Sequence, residues 1–92
     1  MSILIRFEPA SSVTTEQYDE SVRRLEDQGD WPPDGLDYHV CFFVDGQLRV
    51  SEIWDSREQA EAFAERLMPI LNDVGINPGE PKFLEIHNVI KR

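Results

Sequence analysis

Asp45-Gly46 stands between two apolar runs with alternating patterning, "YHVCFFV" and "QLRVSEIW". An Asp-Gly pair suits the two positive-φ positions of a type I′ turn, whose twist matches that of antiparallel strands. The pair therefore predicts a hairpin in mid-chain, and a two-residue turn also sets its register. Val44 falls opposite Gln47, Phe42 opposite Arg49, Val40 opposite Ser51 and His39 opposite Glu52. Strand side chains alternate between faces, so His39, Cys41, Phe43, Leu48, Val50, Glu52 and Trp54 share one face. Tyr38, Val40, Phe42, Val44, Arg49, Ser51 and Ile53 share the other. A three-residue bulged turn is the alternative, and it would slip the register and set His39 against Ser51.

The flanks supply the remaining elements. "SILIRFE" (residues 2–8) reads as a strand closed by Pro9. Thr14 and Gln17 have capping-box spacing, and Val13 can staple onto Tyr18. A helix then carries Tyr18, Val22 and Leu25 as its apolar stripe and ends at Gly29. "DWPPDG" is turn material. Ser56 and Gln59 repeat the capping spacing before a second helix, whose stripe is Ala60, Phe63, Ala64, Leu67, Ile70, Leu71 and Val74, up to Gly75. Pro69 is expected to kink or divide that helix near Leu67 and Met68. "KFLEIHNVI" reads as a last strand over residues 82–90. The order strand-helix-strand-strand-helix-strand predicts one α+β domain over residues 1–92, a ferredoxin-like βαββαβ antiparallel sheet with both helices on one face.

Two helices cover one face, yet both faces are apolar. Leu4 opposes Ile3, Ile5 and Phe7, and Phe83 and Val89 oppose Leu84, Ile86 and Ile90. An apolar face of this size is unusual on a monomer. The expected partner is a second copy, a homodimer joined through the open sheet face. The chain carries 18 acidic and 9 basic residues, a net charge of −9, which disfavours nucleic acid and anionic membranes as partners. Its single cysteine, Cys41, fits a reducing compartment. No apolar run reaches membrane-spanning length, and "MSILIRFEPA" lacks a signal-peptide pattern, so a cytoplasmic location is expected.

Directly opposed residues have Cβ atoms about 4.5–5.5 Å apart, so His39 and Glu52 can share a hydrogen bond. A carboxylate there fixes the imidazole tautomer, as a general base requires. Trp54, one diagonal away, would suit as the wall for an aromatic ligand. A satisfied cross-strand pair and a core tryptophan are the plainer reading. His87 could approach the same pocket or simply sit on an edge strand. Cys41 reads as a small buried hydrophobe. Neither a metal site nor a cofactor is expected.

The element order, together with "LRVSEIWDSREQAEAF", resembles the dimeric α/β-barrel superfamily and most closely its antibiotic-biosynthesis-monooxygenase group. The resemblance implies a homodimer of back-to-back sheets, with a pocket between the sheet and helices of each protomer. It also implies cofactor-independent oxidation or isomerisation of a small aromatic or polyketide-like substrate. His39 would abstract a proton, Glu52 would orient it, and Trp54, Val50 and Phe63 would contact the substrate. Trp54 matches the pocket tryptophan of that group, whereas Val50 stands where some oxygenases place an amide. Haem-degrading members use a histidine on the second helix, and residues 57–74 contain none. The rival expectation is a non-catalytic module that binds a small ligand or dimerises.

Overall fold

The computed structural model describes residues 2–92. Six elements follow in order: β1 (Ile3–Phe7), α1 (Thr15–Asp27), β2 (Leu36–Val44), β3 (Gln47–Trp54), α2 (Arg57–Val74) and β4 (Lys82–Glu85). The strands form one antiparallel sheet in the order β2-β3-β1-β4. This is the ferredoxin-like α+β arrangement, with β1 and β3 central. Among the described residues no helix is long and apolar enough to cross a membrane.

Helix ends follow local chemistry. Thr14 accepts from the Gln17 backbone N–H at 3.1 Å, and the Gln17 side chain accepts from the Thr14 N–H at 2.9 Å, a complete capping box. The amide nitrogen of Gln17 also donates to the Val74 carbonyl at 3.0 Å, tying the start of α1 to the end of α2. Gly29, at φ 77°, turns the chain after α1, and Asp30 N–H returns to Leu25 at 2.9 Å. At α2 only half of the expected box forms. Ser56 accepts from Gln59 N–H, but the Gln59 side chain meets the Ser56 hydroxyl instead of the cap's backbone.

Two further expectations are corrected, that Pro69 divides α2 and that the last strand reaches Ile90. The helix α2 runs undivided through Pro69. Proline removes one backbone donor, but Pro69 is exposed, so water can satisfy the freed carbonyl. Ile70 and Leu71 are buried beyond it and hold the next turn on the sheet. The last strand stops at Glu85 instead of Ile90, because its sole ladder partner, β1, begins at Ile3 opposite Glu85. Past that point residues 86–90 have no strand to pair with.

Ile5, Leu25, Trp54, Ala60, Phe63 and Ile70 form the core between helices and sheet. Each large apolar side chain buried there contributes on the order of 1.5–3 kcal/mol. The opposite face carries Leu4, Tyr38, Val40, Phe42, Val44, Ile53 and Leu84, with no helix over it. Tyr38, Val44 and Leu84 remain exposed on it.

Candidate functional site

Asp45 and Gly46 take φ 51° and 78°, the left-handed pair of a type I′ turn. The hairpin therefore has the two-residue register, with His39 opposite Glu52 and Cys41 opposite Val50. A bulge between Leu36 and Tyr38 leaves that pairing intact. His39 Nδ1 lies 2.6 Å from Glu52 Oε2, and Trp54 Nε1–H donates to Glu52 Oε1 at 3.0 Å. On the far side of the imidazole, Nε2 is 2.7 Å from the Tyr18 hydroxyl. A carboxylate has no proton to give, so Nδ1 carries the hydrogen and donates to Glu52. Nε2 is then the acceptor for the Tyr18 O–H. The four side chains Trp54, Glu52, His39 and Tyr18 form one hydrogen-bonded chain from the core to the edge of α1. Every buried side-chain polar atom among the described residues has a partner.

His39 and Glu52 thus meet as expected. Trp54 is 1 % exposed and packs on Phe63 with ring centroids 5.7 Å apart. It holds the second oxygen of Glu52 from beneath, and Phe63 is equally a core residue. Val50 lines the apolar cavity described below. His87 lies beyond β4 and is exposed. Cys41 is half-buried, and burial, then the nearby Asp19 charge, push its thiol pKa up, so it stays protonated.

Tyr18 and Trp31 are the site residues that sequence reasoning missed. The capping box at Thr14 starts α1 in the phase that turns Tyr18, Val22 and Leu25 toward the sheet. A tyrosine in such a stripe needs a partner for its hydroxyl, and that requirement was the available signal. Trp31 follows the turn after α1 and meets the His39 ring edge-on at 4.9 Å. Nothing in "DWPPDG" points to that contact.

The chain borders a cavity of about 80 Å³ between sheet and helices. Its wall is apolar except for His39, Glu52, Tyr18 and Ser21, and it includes Val50, Leu48, Leu67 and Phe63. Drug-sized ligands occupy roughly 300–1,000 Å³, so a multi-ring guest has to displace side chains.

The Tyr18 phenol is pushed up from 10.0 to about 12, chiefly by burial, with the charges near Cys41, Glu52 and Asp19 adding to it. A raised folded-state pKa means that folding favours the neutral phenol. Its contribution to stability is whole below pH 10 and lost as pH rises through about 12. In an ultraviolet titration of tyrosinate formation, the phase near pH 12 is expected to vanish in Tyr18→Phe. A late phase that persists in that variant would exclude this environment for Tyr18.

No protein-family model matches the chain, and no curated protein matches its sequence. Solved structures do match in fold. SnoaB, a cofactor-independent oxygenase from Streptomyces nogalater, has TM-score 0.60 and 10 % identity over 99 % of this chain and 96 % of its own. A Deinococcus radiodurans protein named for the antibiotic biosynthesis monooxygenases has TM-score 0.60 and 14 % identity over 100 % and 98 %. The structural-genomics protein YJCS has TM-score 0.61 and 11 % identity over 95 % and 100 %. The likeness is one of fold.

Proposed function

We propose that the chain is a cofactor-independent oxygenase or isomerase of a small aromatic, polyketide-like substrate that carries an acidic C–H or phenolic O–H. The observation that carries this reading is the oriented Trp54–Glu52–His39–Tyr18 chain ending beside an apolar cavity. The similar fold of SnoaB supports it. Glu52 keeps the imidazole in the tautomer with a basic Nε2. Tyr18 already occupies that nitrogen, so the substrate proton passes to Tyr18 Oη as the tyrosine proton moves to His39, or Tyr18 swings aside. Either way a carbanion or phenolate is left in an apolar pocket. In the oxygenase form dioxygen is the oxidant: a ring methylene becomes a carbonyl, one oxygen atom enters the product, and the other leaves as water.

Oxygen uptake over a panel of hydroxyarenes and anthrone-like compounds tests this. His39→Ala is expected to lower turnover by about a hundredfold with the fold intact, the scale of one general base. Unchanged turnover in that variant rules out His39 as the base. Saturable quenching of tryptophan fluorescence without turnover, by oxygen uptake or by isomerised product, would instead favour a binding module.

The active form is, in this reading, a homodimer. The open face is apolar and self-complementary in kind, and hiding four or five of its side chains contributes on the order of 1.5–3 kcal/mol apiece before association costs. Sedimentation at low micromolar concentration is expected to give a dimer, and Phe42→Asp a monomer. A wild-type monomer at that concentration removes this part of the reading.

A further inference from the structure

We infer that the cleft outside the Tyr18–His39 hydrogen bond is the mouth of the inner cavity, that this bond is its latch, and that the mouth's charge favours neutral hydroxyarenes over carboxylated ones. The inference rests on the ligand-binding part of the reading above and is independent of its oxygen chemistry.

The cleft has a volume of about 630 Å³ and lies between α1 and the start of β2, with Asp19, Glu26, Trp31, Pro32 and Tyr38 among its walls. Tyr18, Val22, Trp31 and His39 line both this cleft and the inner cavity. A single layer of side chains therefore separates a roomy exterior space from the small interior one. That layer is loosely held. All four of its residues are only partly buried, and the hydrogen bond that joins two of them is Tyr18 Oη to His39 Nε2 at 2.7 Å, with His39 held from within by Glu52 at 2.6 Å. Trp31 adds an edge-on ring contact.

A rival route exists on the other side. A groove of about 450 Å³ beside α2 and β4 also borders the cavity. Six residues line both spaces there: Phe7, Leu67 and Pro78 are partly buried, while Glu52, Phe63 and Leu71 are only 7 %, 3 % and 7 % exposed, more buried than any in the Tyr18–His39 layer. Parting them opens the core, whereas parting Tyr18 from His39 breaks one hydrogen bond. Once that bond opens, the Tyr18 oxygen faces the incoming ligand as an acceptor for its hydroxyl.

The mouth repels anions. Asp19, Glu26 and Asp37 all line it. Asp37 is paired with Lys91 at 2.8 Å, while Asp19 and Glu26 have no ion pair among the described residues. Within a Debye length of about 8–10 Å these charges act on a ligand directly, and the net charge of −9 adds to their field.

Stopped-flow tryptophan fluorescence of the full chain with naphthol and with hydroxynaphthoate tests the inference. Tyr18→Phe is expected to speed naphthol association about tenfold, the scale of one neutral hydrogen bond. Val22→Trp, which fills the mouth and removes no member of the hydrogen-bonded chain, is expected to slow it by a similar factor. Ala64→Trp, in the opposite groove, is expected to leave it unchanged. Hydroxynaphthoate should bind about tenfold more weakly than naphthol, and Asp19→Asn with Glu26→Gln should close most of that gap.

Association rates insensitive to both Tyr18→Phe and Val22→Trp would overturn the inference. So would slowing by Ala64→Trp alone, equal affinity for the two ligands, or no saturable quenching by naphthol. Oxygen uptake by the same proteins separates the two readings. Binding as expected without oxygen consumption leaves the mouth in place and removes the oxygenase. Oxygen consumption with insensitive association rates does the reverse.

Discussion

Trp54→Ala is expected to lower the free energy of unfolding by about 3–5 kcal/mol, a large share of what a small domain possesses. The indole is 1 % exposed and sits in the core cluster with Ile5, Leu25 and Phe63. Its removal leaves a large void in a layer with only two helices to collapse into it, and it also strips a donor from the buried Glu52. Trp54→Phe separates these losses. A ring contact with Phe63 is kept while the N–H and the rest of the five-membered ring go, so the cost should fall to about 1–3 kcal/mol. Denaturant titration measures both. A cost below about 1 kcal/mol for Trp54→Ala would show that the ring is a ligand wall and not a structural element.

The second large effect is expected in proton transfer. Glu52→Gln keeps the size of the side chain but gives it only one acceptor oxygen. That oxygen can still take the Trp54 N–H, while the amide NH₂ then faces His39 Nδ1. The imidazole answers by changing tautomer: Nδ1 accepts, Nε2 carries the hydrogen, and Tyr18 becomes the acceptor. Every bond survives, the two on the imidazole with their direction reversed, so stability should fall by about 1 kcal/mol or less. Turnover should fall about 10³–10⁴-fold, as when a catalytic histidine is held in the wrong tautomer. Nitrogen NMR of the His39 ring reads the exchange of protonated nitrogen without needing a substrate. Retained turnover, or an unchanged tautomer, would show that Glu52 does not orient His39.

Much of this arrangement is legible in the residues, and the reasons differ by part. Asp45-Gly46 encodes a local backbone geometry, and a two-residue turn carries its register along the hairpin as far as Tyr38 opposite Ile53. The meeting of His39 with Glu52 follows from arithmetic. Thr14 and Gln17 are equally local. The extent of the last strand is not, because "FLEIHNVI" has the composition of a strand throughout. Its end is set by where β1 begins, a fact located elsewhere in the chain. Pro69 fails to divide its helix for a related reason: the burial of Ile70 and Leu71 outweighs one missing backbone bond. Trp54 is placed on the right face, but periodicity cannot tell a wall from a floor. Tyr18 and Trp31 reach His39 across separations that no local pattern records.

The central position of β1 bears on how the molecule is made. Of the four strands it is the first to be synthesised, and its two neighbours in the sheet are β3 and β4, the last of which ends at Glu85. One flank of β1 waits for β3, which ends at Trp54, and the other for β4, which ends at Glu85, so the nascent chain carries an incompletely paired greasy ribbon over that whole stretch of synthesis. Pairings this distant in sequence are slow to form. Protein synthesis, more than the finished fold, is where this molecule is most open to aggregation.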